Sequence, residues 1–266
     1  MADYPHCARG RLCYPAVMAE VSITFIITVS ATFLVAGLVK GVTGMGLPTV
    51  AMGLLGALMS PLLAATLLLV PSFVTNVWQV LAGPNLGALL RRFWPMMLAI
   101  ILGTVTASSL ISGGDTRFTT AALGTALVVY AVYALLLRPF RVSTGLERWL
   151  APVIGVVTGL VTGGTGVFVI PAVPYLQALG LEKDDLVQAL GLSFTISTIA
   201  LAAGLAWHSA FRADNLAVSI LAVGPALAGM WAGRRLRIRI SLATFRRWFL
   251  GCLLLLGLEM IARSLL

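Results

Sequence analysis

GLVKGVTGMG, residues 37–46, and GLVTGGTGVF, residues 159–168, are one phrase written twice. Gly37, Leu38, Val39, Gly41, Thr43 and Gly44 match Gly159, Leu160, Val161, Gly163, Thr165 and Gly166 at a single offset. After small gaps Ser72-Phe73 matches Ser193-Phe194, and near the ends Phe118 and Gly124 match Phe245 and Gly251. Matches in this order mark an internal repeat, and a repeat governs the architecture.

Around the two phrases the chain is oily. Of its 266 residues 59% are hydrophobic and 10% charged, with a mean hydropathy of +1.01. A soluble domain carries about 25% charged residues. Apolar runs this long read as membrane spans of roughly 20 residues each. Lipid admits only helices or closed barrels, because the backbone must satisfy itself there. Barrel strands alternate apolar and polar residues, and these runs do not. The fold class expected is therefore all-α: a polytopic helical membrane protein.

Apolar segments fall near 17–40, 44–59, 62–82, 93–112 and 118–137, then near 149–163, 166–180, 186–206, 214–233 and 244–264. A basic stretch separates the two sets. This divides the chain into a tail (1–16), a first transmembrane repeat (17–137), a basic cytoplasmic linker (138–148) and a second repeat (149–266). Segments 44–59, 149–163 and 166–180 are short for full spans and read as half-helices or re-entrant pieces. The run from Ala16 to Val39 is too long for a signal-peptide core, so it is expected to be retained.

An odd number of crossings per half inverts the second copy relative to the first. That threading gathers Arg91, Arg92, Arg138, Arg141, Arg148, Lys183, Arg234, Arg235, Arg237, Arg239, Arg246 and Arg247 on one face. Only Arg9, Arg11, Arg117, Arg212 and Arg263 fall on the other. The richer face is expected to be cytoplasmic, with both termini outside and the protein integral to a bacterial inner membrane. The net charge of +9 is thus a topology signal and not a nucleic-acid footprint.

The polar inventory argues against enzyme chemistry. His6 is in the tail beside Cys7 and Cys13, where a disulfide or metal site is an alternative to a plain tail; His208 is at a helix end. Most acids sit in loops, and only Glu259 lies within a span. No nucleophile with a base, no paired carboxylates and no metal-ligand spacing emerges. Neither a catalytic site nor a cofactor is expected.

The glycine phrases point elsewhere. Interrupted hydrophobic segments at matching places of an inverted repeat mark the binding site of a secondary transporter. Glycine permits the turn that breaks a helix, and a restarting helix presents bare N–H groups and partial positive charge, which suits an anion. Pro48 and Pro171 fit restarts just after Gly46 and Gly166. Lys40 lies among these glycines, and an intramembrane lysine is a functional-site hypothesis by default; the bland alternative is that it snorkels to the surface. The glycines also have a bland alternative, since Gly37-x-x-x-Gly41 and Gly159-x-x-x-Gly163 are close-packing patterns. Ser72, Thr75, Asn76 and Gln79 share one helical face, matched by Ser193 and Ser197. The expected substrate-binding set is Lys40, Gly41, Thr43, Gly44, Gly46, Asn76, Gly163, Gly164, Thr165, Gly166, Ser193 and Ser197. Together they are expected to hold a small anion between two facing breaks near the bilayer midplane. A transporter of another small solute or metal cation, and a non-transport membrane assembly protein, are the competing readings.

At these residues the chain resembles the TauE/SafE family of sulfite exporters. The resemblance runs through GLVKGVTGMGLP, GLVTGGTGVFVIPAVPYLQALGL and LGLSFTISTIA to a closing helix after a basic loop. It implies transport of small sulfur-containing anions such as sulfite, thiosulfate or sulfonates, with the lipid bilayer as the other partner and a homo-oligomer as an option. Two residues depart from the pattern: Phe168 stands where a small residue is expected, and Lys40 is not a family constant.

Overall fold

The computed structural model describes residues 23–136, 141–210 and 213–265. The expectations for the tail 1–16, with His6, Cys7, Arg9, Arg11 and Cys13, and for Arg138 and Arg212 lie outside the described residues. The described residues form eleven helices and no strand: α1 (Ile23–Thr43), α2 (Leu47–Leu58), α3 (Pro61–Leu81), α4 (Leu86–Gly113), α5 (Thr116–Leu136), α6 (Thr144–Thr165), α7 (Ala172–Ala178), α8 (Lys183–Trp207), α9 (Ala213–Leu221), α10 (Val223–Leu236) and α11 (Leu242–Leu265). Seven stretches are long and apolar enough to cross a membrane: α1, α3, α4, α5, α8, the α9–α10 stretch from Asn215 to Leu236, and α11. The architecture is that of a polytopic helical membrane protein. All six tryptophans are exposed. Trp94, Trp149, Trp231 and Trp248 each stand within a turn of Arg91, Arg148, Arg234 and Arg247, the pairing of aromatic and basic residues common at membrane interfaces.

The two halves pack reciprocally. The first helix of each lies along the fourth of the other, α1 on α10 and α6 on α4. Small residues allow this. Gly37 abuts the Ala226 backbone and Gly41 that of Met230, while Gly155, Gly159 and Gly163 abut Met96, Ile100 and Thr104. Residue numbers rise together along both pairs, so each pair is parallel. Like helices instead meet antiparallel. Ser72 of α3 bonds Thr198 of α8 while Gln79 reaches Val187. Leu127 and Leu253 both flank Gly53, whereas Leu123 and Met260 both flank Gly56, so α5 and α11 also oppose. With no hydrophobic drive between helices in lipid, such close backbone approach supplies the attraction. The small-xxx-small glycines of the repeated phrases therefore serve helix crossing.

Two segments differ from expectation. The helix expected at 149–163 is the 22-residue α6, starting back at Thr144 within the basic linker. Its first turn carries Glu147, favoured at a helix N-terminus, and Arg92 grips both carboxylate oxygens at 2.6 and 2.7 Å. The second restart comes at Ala172 and not just after Gly166. Residues 167–169 are non-helical yet buried, and Phe168 packs against Phe194 with ring centroids 6.5 Å apart. The short α7 (7 residues) and α2 (12 residues) fulfil the expectation of half-length pieces.

Pro71 sits inside α3. Lacking an N–H, it leaves the Leu67 carbonyl without its helical donor. Ser219 of α9 fills the gap, donating to Leu67 O at 2.8 Å and accepting from Val70 N at 3.3 Å.

Candidate functional site

Both phrases fold into the same break. The amide of Gly44 donates to Lys40 O and that of Gly166 to Thr162 O, each at 2.8 Å. Both glycines take the left-handed conformation, with φ of 81° and 71°, as a helix C-terminus favours. Thr43 donates to Val39 O at 2.9 Å and accepts from Met45 N at 3.2 Å. Thr165 does the same with Val161 O at 2.6 Å and Val167 N at 3.2 Å. The expected ligands Thr43, Gly44, Thr165 and Gly166 thus have their polar groups engaged in terminating α1 and α6. Gly41 and Gly163 are helix contacts, and Gly164 lies inside α6 with Leu110 beyond it. Over Gly166 lies Met52 of α2, whose Cε and Sδ are 2.8 and 3.0 Å from where a Cβ would stand.

Lys40 does not snorkel. It is 3% exposed, and its ammonium donates to Thr75 Oγ1 at 3.2 Å and to Asn76 Oδ1. Asn76 Nδ2 donates to Ser72 Oγ at 3.0 Å, and Ser72 meets Thr198 at 3.2 Å. Gln79 Nε2 bridges Gly44 O and Val187 O at 3.0 and 2.7 Å. The polar face read on α3 is therefore a buried chain running from the first break toward the middle of α3 and α8. Its one basic group is Lys40. Among the described residues the sole ion pair is Arg92–Glu147, so no carboxylate neutralises Lys40. A buried, uncompensated charge costs several kcal/mol.

Unspent hydrogen-bond donors lie deep in the same bundle. Ser193 and Ser197 are fully buried and their hydroxyls have no partner among the described residues. Thr49, in the first turn of α2, is likewise buried with an orphan Oγ1. Sequence reasoning missed Thr49; its place beside Pro48 in the first turn after the break was the available signal. The amides of Gly46, Leu47 and Thr49 also find no acceptor among the described residues, the α2 ladder starting only at Val50 N to Gly46 O. Phe168 and Val169 leave an equivalent pair after the second break. Bare amides do follow each break, but at Gly46–Thr49 and Phe168–Val169 instead of at Gly44, Gly164 and Gly166.

Both break segments lie against α5. Thr43 and Met45 share a cavity of about 170 Å³ with Tyr133, Gln177 and Arg246. Thr165 and Ile170 line a groove with Phe118, Ala121 and Ala122. Ile170 also lines a cavity with Val129, Tyr130 and Tyr133, so the segment after the second break returns along α5 to the residues that flank the first. The Lys40 chain starts in the last turn of α1 beside the first break and ends at Ser72 and Thr198.

A bundle of membrane-crossing helices, two of them broken, around a buried polar chain with one cation defines an integral membrane protein built like a carrier. Comparison narrows the class: the family described as sulfite exporter TauE/SafE matches residues 29–260, and the chain belongs to that family. It is a family of membrane transporters of the sulfur-anion exporter type. No curated protein and no solved structure matches the chain.

Proposed function

We propose that this protein carries a small sulfur-containing oxyanion, of sulfite, thiosulfate or organosulfonate type, through a site centred on Lys40. The observation that carries the reading is the Lys40 amine, buried among neutral acceptors with no carboxylate paired to it among the described residues. An anion is the missing charge. Asn76, Ser193, Ser197 and Thr49 supply hydrogen bonds, and the Gly46–Thr49 amides add the field of a helix N-terminus. The same charge disfavours a metal cation as cargo.

The reciprocal packing supports two inverted repeats, with the boundary between them at Thr144, where α6 begins. Rocking of one repeat against the other exposes such a site alternately. The arginine-rich ends of α4, α6, α10 and α11 are taken as cytoplasmic, in a bacterial inner membrane with both termini outside. A negative-inside potential then favours anion exit by about 2.3 kcal/mol per charge per 100 mV, so export is the direction proposed.

The test is flux and binding on the purified protein with sulfite, thiosulfate, sulfate and a sulfonate series. Wild type is expected to be stabilised against heat by its anion and to carry it in proteoliposomes. Lys40→Ala is expected to keep its fold and lose both. Undiminished anion affinity in that variant rules out a Lys40-centred site.

A further inference from the structure

Two of the few arginines at the arginine-poor end of the bundle meet in one place. Arg117 at the start of α5 and Arg263 at the end of α11 line a cavity of about 270 Å³, together with Ser60, Thr116, Thr120 and Ser264. The end of α2 forms its floor. Basic residues are sparse on this face, so two converging on one cavity need a reason. They have no carboxylate within ion-pair distance among the described residues. Asp115 accepts from the Arg117 backbone amide at 2.9 Å and pairs with neither guanidinium.

Arg263 has one fixed duty. Its Nη1 donates to Ala57 O at 2.7 Å, which covers a carbonyl at the negative end of α2. A guanidinium has five N–H donors in a fork suited to oxyanions, so most of it stays free. The hydroxyls of Thr116 and Thr120 form no hydrogen bond as donors among the described residues. Ser60 accepts from Leu63 N at 3.4 Å and keeps its own proton to give. The cavity therefore offers two positive charges and three hydroxyl donors, with Asp115 at its edge held on the Arg117 backbone amide.

Its position gives it meaning. It lies at one end of the antiparallel α5–α11 pair, and the cavity holding Thr43, Met45 and Arg246 lies at the other. The two are counterparts: one joins the end of α2 to the start of α5 and the end of α11, the other joins α7 to the end of α5 and the start of α11.

We propose that Arg117 and Arg263 form a second anion subsite, a vestibule at the arginine-poor end that takes a small oxyanion separately from Lys40. Its role as a loading or release station rests on the transport reading above; its binding of an anion does not.

The experiment is equilibrium dialysis of radiolabelled thiosulfate against the purified full-length protein at low salt. Wild type is expected to show two classes of site. Arg117→Gln, whose side chain forms no hydrogen bond within the fold, is expected to weaken one class at least about fivefold and leave the other unchanged. Lys40→Ala is expected to remove the other class alone. Arg263→Lys, which keeps the charge over Ala57, is expected to retain the vestibule class with reduced affinity. A single class in wild type that Arg117→Gln leaves intact overturns the vestibule and spares the Lys40 site. Two classes that both survive Lys40→Ala spare the vestibule, provided Arg117→Gln weakens one, and overturn the Lys40 site.

Discussion

The Lys40 ammonium donates to the Asn76 side-chain oxygen, joining the end of α1 to α3 in the closed interior. That oxygen is neutral, so the pair leaves one positive charge for a ligand. Asn76→Asp places a carboxylate where the amide oxygen stands. It supplies the counter-charge internally. The expected result is a variant more heat-stable than wild type without ligand and at least about tenfold weaker for the anion, read by melting temperature with and without thiosulfate. Higher anion affinity in Asn76→Asp would contradict the role given to Lys40.

The glycines of the two phrases divide into classes that respond differently. Gly159 faces the backbone of Ile100 and Thr104, and Gly163 that of Thr104 and Ala107. Gly164 has only Leu110 Cδ1 within reach, at 3.7 Å. Gly163→Val is expected to part α6 from α4, lowering expression and melting temperature and abolishing transport. Gly164→Ala is expected to be well tolerated, gaining helix propensity of about 0.5–1 kcal/mol. Folded, active Gly163→Val would contradict the packing described.

The repeated phrase made this architecture legible early. Apolar length announced the helices, and the matched glycine phrases announced two breaks of one form. The α3 face of Ser72, Thr75, Asn76 and Gln79 was readable from spacing, and it is buried as one strip. What spacing did not carry was depth. Nothing in GLVTGGTGVF says that the chain stays non-helical to Pro171, because that follows from Phe168 seating on Phe194, a contact distant in sequence. Nor did the threonines reveal that they close their own turns, since a Thr two residues before an amide reads equally well as a ligand. Thr49 was hidden because its importance comes from an unpaired hydroxyl, which only packing defines.

Thr165 tests the turn. Its hydroxyl holds both Val161 O and Val167 N. Thr165→Val keeps the shape and deletes both bonds. One lost hydrogen bond costs about 0.5–1.5 kcal/mol, and an unsatisfied buried group about 1–3. The expected loss is about 2 kcal/mol in unfolding, with anion affinity changed less than about threefold, because the hydroxyl is occupied locally. The matched Thr43→Val is expected to behave alike. Loss of binding without loss of stability would return these hydroxyls to the ligand shell.

Ser219 gives a cleaner test of how the membrane interior is satisfied. Pro71 cannot donate to Leu67 O, and Ser219 of α9 does so at 2.8 Å. Ser219→Ala removes the side-chain donor to this carbonyl, and interhelical hydrogen bonds in membranes average about 0.6 kcal/mol with a maximum near about 1.7. The expected cost is about 1 kcal/mol in SDS-titrated unfolding. Pro71→Ala restores an N–H at position 71, which closes the helical bond to Leu67 O by itself. In that background the Ser219→Ala cost is expected to fall by more than half. The two substitutions are therefore non-additive in a double-mutant cycle. Equal costs in both backgrounds would mean that Ser219 acts through packing on α3 and not through the carbonyl that Pro71 exposes.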